Sequence, residues 1–311
     1  METMRKGVIL FFFFNVSLVA KSATIYWDGG GGDGLWSTSS NWVGDVLPGA
    51  SDDILLDNAF LSGNYQVTLP NSAVSLLSLR ISPIAGNSIR LIMPSSNIIT
   101  TNAFVTTGLG YTVIIDNGGV FENSAGVTSG TNFTIADTFQ INNGGRYIHK
   151  TRSGHAGWTS RLSRFSGTEY GVFEFDVSGG SYAVSTSSNR IYGTLELSSL
   201  KAGGTQVYTS NAGGILTING NLILNSGVTY SYTPPAATIT FVVNNDVLIS
   251  PSAIFDLCAS GSNSMFFQAK GNFVIDGIMR ESGNTADFVL NGSSIQSISG
   301  VGSIQNSVAL T

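Results

Sequence analysis

Charge is what this chain has least of. Only 11% of its 311 residues are Asp, Glu, Lys or Arg, against about 25% in an average soluble protein. The balance is acidic, with a formal net charge of −5, which argues against nucleic acid and anionic membrane as general partners. Cysteine occurs once, at Cys258. A single thiol can form neither an intrachain disulfide nor a cysteine zinc site, and its setting, "AIFDLCAS", reads as a small buried hydrophobe. Proline is scarce, at 7 residues. No nucleophile elbow, zinc motif or nucleotide fingerprint occurs. Nor does any stretch have the length of a transmembrane helix. "GVILFFFFNVSLVA", behind Arg5 and Lys6, is apolar but too short to cross a bilayer. Small residues Ala20, Ser22 and Ala23 follow it, so residues 1–22 are expected to be a secretory signal peptide. With no cysteine near the cleavage site, a lipoprotein anchor is not expected. The protein should be secreted or held at the cell surface, with no membrane insertion after signal removal.

Glycine (38 residues), Ser, Thr and Asn fill the sequence instead, around 42% hydrophobic content. This is the composition of an all-β protein with many tight turns and enough apolar material for a core. Helical periodicity is missing. Short alternating apolar runs are punctuated by Gly and Asn. "TINGNLILNSGVTY", "VVNNDVLISPSAIF" and "QAKGNFVIDGIM" align, placing Asn221, Asp246 and Asn272 in one column. A second column of Gly-Gly pairs begins at Gly118, Gly144, Gly179 and Gly203. A repeat near two dozen residues is the mark of a solenoid, in which coils that cannot bury their own apolar faces stack into a shared core. The expected fold is a right-handed parallel β-helix over residues 60–311, with a Trp/Gly-rich capping segment at 23–59. An antiparallel β-sandwich is the alternative, but it would not explain the recurring columns.

The capping segment reads "IYWDGGGGDGLWSTSSNWVGDVLPGASDDILLDN". The first coil of a solenoid exposes an apolar cross-section and open strand edges that need covering. Trp27, Trp36 and Trp42 supply the area, and the glycines let the chain fold back over it. Asp28 and Asp33 make Ca2+ the metal this stretch could hold, although the tandem repeats of calcium-binding β-rolls are missing and no cofactor is otherwise implied. A tryptophan platform for sugar stacking is a further reading of the same residues.

The step from Gly144 to Gly179 is about ten residues longer than its neighbours, and an insertion in a solenoid becomes a surface loop. Residues 146–168 hold both histidines, His149 and His155, together with Trp158. They also carry Arg146, Lys150, Arg152, Arg161 and Arg164 among the chain's 14 basic residues. A basic cluster on an acidic protein is a candidate site for sulfated or carboxylated glycans, so Arg146, Lys150, Arg152, His155, Trp158, Arg161 and Arg164 are the candidate glycan-binding residues. The plain alternative is a solvated loop. A catalytic version would use Arg161, Arg164, Lys150 and His155 as a lyase, or Glu169, Glu174 and Asp176 as the carboxylates of a glycoside hydrolase. In "VFEFDV" the phenylalanines should point inward and the acids outward.

"YWDGGGGDGLWSTSSNW" with "LPGASDDILLDN" resembles the N-terminal segment of large secreted bacterial right-handed β-helix proteins. "VFEFDVSGGSYAVSTSSNRIYGTLELSS" and "ILTINGNLILNSG" resemble their repeats. The resemblance covers most of the mature chain. It implies a surface-exposed, adhesin-like protein of the kind often delivered by the type IX secretion system, and it carries no shared catalytic motif. No sorting domain is recognisable, and the sequence stops mid-repeat at "VGSIQNSVALT", so the solenoid is expected to be shortened or to lack a C-terminal cap. The function expected is an exported structural or adhesive module whose partners are extracellular polysaccharides or cell-surface components. The alternative is a β-helix polysaccharide lyase or glycoside hydrolase.

Overall fold

Alternating apolar runs separated by Gly and Asn fold here as stacked three-strand coils. The computed structural model describes residues 23–162, 165–185, 190–199, 205–211, 214–234, 239–259, 264–305 and 309–310. The expected signal segment 1–22, Arg164 and Gly203 lie outside the described residues. Strands pair in parallel from Thr24–Tyr26 on Asp53–Asp57 to Ala286–Leu290 on Ala309–Leu310. The fold is thus a parallel β-solenoid and not a sandwich.

One wall runs the length of the stack as a 10-stranded sheet, from Tyr65–Thr68 to Ile298–Ser299. The other two walls are each split in two. The second consists of a 3-stranded sheet ending at Thr131–Ile135 and a 6-stranded sheet beginning at Tyr182–Ser185. The third consists of a 5-stranded sheet ending at Thr138–Ile141 and a 6-stranded sheet beginning at Arg190–Tyr192. Both interruptions fall in the same coil, at residues 150–171.

Strand alternation builds the core. In the continuous wall Val67, Leu91, Phe121, Tyr147, Phe173, Leu195, Leu222, Val247 and Phe273 lie in one inward file, and all are buried. Each such side chain contributes roughly 1.5–3 kcal/mol of burial free energy. No single coil could enclose them.

The register matches the expected Asn/Asp column. Leu222 faces Val247, which faces Phe273, so Asn221, Asp246 and Asn272 stack immediately before them. The Asn221 Oδ1 accepts the Asp246 N–H at 3.2 Å, and Asp246 Oδ1 accepts the Asn272 N–H at 2.7 Å. Asn272 Oδ1 then accepts the Ser297 N–H at 2.9 Å. Each side chain thus satisfies the backbone donor of the coil above.

The Gly-Gly column needs correction. Gly118 and Gly144 do share a column, because Arg146 faces Val120. The next strand, however, sets Arg146 opposite Val172, 26 residues on. The position after Gly145 in this column is therefore Gly171, and Gly193 and Gly220 continue it. Gly179 sits ahead of Tyr182–Ser185, in a different wall. The apparent 35-residue step joined two walls, and the coil holding residues 146–168 has ordinary length. The file requires glycine because adjacent coils touch there. A Cβ at Gly145 would meet Ile115 O at 2.4 Å, and one at Gly171 would meet Ile141 O at 2.1 Å.

At the N-terminal end Trp27, Trp36 and Trp42 are buried in one cluster. Trp42 meets both partners edge to face, at 4.9 and 4.6 Å between centroids, and its Nε1 donates to Trp36 O at 2.8 Å. Trp36 N–H donates to Thr68 O at 2.9 Å, tying the segment to the first strand of the continuous wall. The Asp33 carboxylate accepts from Leu35 N, Thr38 Oγ1 and Asn41 Nδ2, and these bonds, led by Thr38, lower its pKa. Asp28 Oδ1 accepts the Gly30 N–H at 3.0 Å. Both aspartates thus tie the glycine turn to itself.

Candidate functional site

The residues singled out in the sequence meet in the coil where two walls are broken. Its first strand, Arg146–His149, belongs to the continuous wall. Alternation sends Tyr147 and His149 inward and Arg146 outward. The next stretch, "KTRSGHAGWTS", has no alternating apolar residues and forms no strand. A one-turn helix, Ala156–Thr159, occupies the place of the second wall. Among the described residues the third wall is reduced to a single bridge, between Phe139 and Leu162.

Three of the expected surface residues are interior. His149 is 0% exposed, His155 5% and Trp158 2%. The expected projecting loop is a coil turned inward. Without a strand to fill the second wall, large side chains fill it. Trp158 packs on Phe173 (26° between rings, 5.6 Å) and edge-on to Tyr147 (76°, 5.0 Å), with Phe133 and Phe139 also close.

A chain of hydrogen bonds crosses this interior. The Tyr147 hydroxyl lies 3.2 Å from His149 Nδ1, and His149 Nε2 lies 2.9 Å from the Tyr182 hydroxyl. The same hydroxyl is 2.9 Å from His155 Nδ1 and 2.7 Å from Ser153 O, and its one proton serves the two. His155 Nε2 reaches Val184 O at 3.0 Å. A carbonyl only accepts, so this nitrogen carries the proton and Nδ1 receives one from Tyr182. Ser153 Oγ continues the chain to Asn132 at 2.7 Å. Both imidazoles are neutral. Burial, and then the neighbouring His155, holds the His149 pKa far below its ordinary value. Burial lowers that of His155 from 6.5 to about 4, with Arg190 adding to the fall against the bond to Val184.

The cations divide into two groups. Arg146 and Lys150 join a ladder on the outer face of the continuous wall. Arg146 bridges Glu174 (2.6 Å) and Glu196 (3.0 Å), and Lys150 lies between Glu122 (3.3 Å) and Asp176 (3.8 Å). Arg90 pairs with Glu122 from the coil below. Glu174 and Asp176 do point outward from the phenylalanine strand, but neighbouring side chains leave them 8% and 6% exposed. The two carboxylates of Arg146 outweigh the effect of burial and raise its pKa.

Arg152 and Arg161 bind backbone instead. Arg152 donates to Ser178 O, Gly180 O and Ser181 O at 3.0–3.2 Å, and Arg161 Nη1 donates to Ala136 O at 2.8 Å. Side-chain donors thus serve carbonyls at the ends of the interrupted sheets, where a strand would have offered N–H groups. Glu169 lies apart from the other acids at the turn before Gly171, and accepts the Gly167 N–H at 2.8 Å.

Sequence reasoning missed Tyr182, Ser153 and Asn132 as partners of the histidines, and Glu122, Glu196 and Arg90 as partners of the cations. Ser153 stands between the two histidines in the same coil, whereas the others come from other strands or coils and become visible only once the register is known. Two sizeable cavities border these features. One, of about 350 Å3, lies beside the cap between Trp36, Leu47, Pro48, Pro70 and Val74. The other, of about 230 Å3, lies at the break between strand Thr131–Ile135 and the short helix. No family model matches the chain, and no curated protein or solved structure matches it.

Proposed function

We propose that this chain is an exported structural and adhesive β-solenoid of the cell surface that binds acidic glycans at the coil where two walls break. The observation that carries the reading is the contrast between its cations. Arg146 and Lys150 are neutralised by carboxylates, whereas Arg152 and Arg161 spend their bonds on carbonyls and keep their charge. On a protein of net charge −5, they give this coil a local positive field. Export rests on the N-terminal pattern of Arg5, Lys6, an apolar run and small residues. The rigid stack with one continuous wall suits a load-bearing module.

The test is a glycan-array screen of the mature protein, followed by binding to the acidic hits at rising salt. Affinity should fall steeply, because exposed charges are screened over about 8 Å at physiological ionic strength. Salt-independent binding, or a preference for neutral glycans, would refute the reading.

A β-helix lyase or glycoside hydrolase is the second reading. Its support is the clustering of Glu122, Glu174, Asp176 and Glu196 on adjacent coils of one outer face. Against it, each of Glu122, Glu174, Asp176 and Glu196 is within ion-pair reach of Arg90, Arg146 or Lys150. Release of reducing ends or unsaturated products from any glycan that binds would favour the enzyme.

A further inference from the structure

Four polar atoms converge inside the broken coil. The Tyr182 oxygen stands 2.9 Å from His149 Nε2, 2.9 Å from His155 Nδ1 and 2.7 Å from Ser153 O, and His149 Nε2 is itself 3.2 Å from Ser153 O. All four residues are buried. There are too few protons for these contacts. His155 Nε2 gives its proton to Val184 O, so Nδ1 offers only a lone pair, and the Ser153 carbonyl also only accepts. The single Tyr182 proton can serve one of them at a time. The other contact then sets lone pair against lone pair, and a buried acceptor without a donor is costly. A cation among the four atoms removes that conflict.

The surroundings are those of a metal centre. A metal-bound imidazole almost always sets its other ring nitrogen against a hydrogen-bond partner, which fixes its tautomer and aim. His155 Nε2 is set on Val184 O at 3.0 Å and His149 Nδ1 on the Tyr147 hydroxyl at 3.2 Å. Ser153 is anchored by its own hydroxyl on Asn132. Both imidazoles are neutral, the form that binds a metal. Zinc bonds of about 2.0–2.2 Å in a tetrahedral site put the ligand atoms roughly 3.3 Å apart. The separations here are 2.7–3.2 Å, so a small outward shift admits the ion. We infer that this coil binds one Zn2+ ion through His149 Nε2, His155 Nδ1, the Tyr182 oxygen and Ser153 O. Binding moves the His149 proton from Nε2 to Nδ1, where the Tyr147 oxygen accepts it, and the Tyr147 proton turns to Asn123, its other partner. The Tyr182 proton leaves to solvent and its phenolate bonds the ion. Burial raises the Tyr182 pKa, with Tyr192 adding to the rise and Arg152 opposing it, so this proton leaves only when an ion replaces it. Ser153 and His155 belong to the stretch without a strand, and Tyr182 begins the strand with which the second wall resumes. The ion fastens the one to the other and needs no glycan.

The chain has two histidines, so their ring 15N signals report the site without mutation. With every ligand buried, uptake is coupled to folding. The full chain is therefore produced in 15N medium containing Zn2+ and in medium depleted of it, and loose ions are removed on a chelating resin. The first sample should keep one ion per chain. His155 should be the Nε2–H tautomer in both samples, whereas His149 should be Nε2–H without zinc and Nδ1–H with it. A tyrosinate absorption band should accompany the ion. His155→Gln keeps a donor for Val184 O, and Tyr182→Phe keeps the ring, yet each should retain about a tenth of the zinc or less. If either variant fails to fold, the wild-type imidazole signals decide alone. No retained zinc, or zinc with both imidazole signals unchanged, overturns the inference, as does full zinc content in both variants. A changed His149 signal without tyrosinate overturns the role of Tyr182. The same His149 change on production with Ca2+ alone overturns the choice of ion, because Ca2+ takes oxygen ligands.

Discussion

The continuous wall and the two interrupted walls meet in one coil and solve the same problem differently. Both must satisfy backbone groups at the contact between neighbouring coils. In the continuous wall the backbones approach so closely that Gly145, Gly171, Gly193 and Gly220 have no room for a side chain, with a neighbouring oxygen 2.1–2.4 Å from each ideal Cβ position. At the break the described residues form no strand, and Arg152, Arg161 and His155 reach across to carbonyls. The comparison shows that one unbroken wall is enough to hold register along the stack. The other walls can then be opened, provided that side chains replace the lost donors. An opened wall is also where a cavity can form.

The comparison breaks most sharply at the glycine file. Gly171→Val would drive its Cβ into Ile141 O, and relief would require the two coils to part. A loss of about 4 kcal/mol or more is expected, seen as failure to accumulate soluble protein or as a collapse of the urea midpoint. At Gly180, beside the interrupted wall, an added Cβ meets nothing within 4 Å. Gly180→Val should cost no more than about 0.5 kcal/mol. Similar losses at the two sites would mean that the continuous wall does not carry the register.

The buried histidines give the next largest effect. The folded-state pKa of His155 is about 4, against an ordinary 6.5, so between these values the unfolded chain binds more protons. Stability from this group is complete above pH 6.5, falls as the pH drops towards 4, and changes no further below that. The loss is on the order of 3 kcal/mol, with His149 adding in the same direction. His155→Gln can still donate to Val184 O but cannot titrate. Unfolding free energies measured from pH 7 to 4 should be flatter for this variant. An unchanged slope would show that the imidazoles are not buried neutral.

These interior histidines also mark where the sequence could be read and where it could not. The Asn221, Asp246 and Asn272 column was legible because each residue precedes the same alternating strand, and a repeat conserved in type reports its own register. The file of Gly145, Gly171, Gly193 and Gly220 was half visible. Gly171 stands in "YGV" and not in a Gly-Gly pair, so the eye passes to Gly179, which belongs to another wall. That one slip created an insertion that does not exist and moved His149, His155 and Trp158 from the core to the surface. Charge misled in the same way. Arg152 and Arg161 look like a solvated cluster, and only the open sheet ends reveal their carbonyl partners. Local patterns report strands faithfully, but where a wall breaks the pattern is replaced by long-range contacts that no local reading contains.

A smaller effect separates the two groups of cations. Arg146→Met removes bridges to Glu174 and Glu196, and Arg152→Met removes bonds to three carbonyls together with the approach of its guanidinium to the Tyr182 ring, 5.8 Å from the centroid. Both groups are partly exposed, so about 1 kcal/mol is expected for each. Salt should distinguish them. The cost of Arg146→Met should shrink at high ionic strength, because it is charge–charge, while that of Arg152→Met should persist. Equal salt dependence would place Arg152 in an ion pair and dissolve the distinction on which the glycan reading rests.

The smallest change runs the other way. Gly157 lies in the short helix at the break, and an added Cβ there meets nothing within 4 Å. Alanine is the better helix former, so Gly157→Ala should leave stability unchanged or raise it by up to about 1 kcal/mol, the reverse of any substitution in the glycine file. Gly157 nevertheless borders the 230 Å3 cavity, and a methyl group placed there takes volume from it. The folded state should therefore gain stability while the environment of the cavity changes, as read from the melting temperature and the Trp158 indole signal on one sample. Lower stability would show that this glycine is required by the backbone, as in the continuous wall. An unchanged indole signal would show that the added methyl group does not reach the cavity.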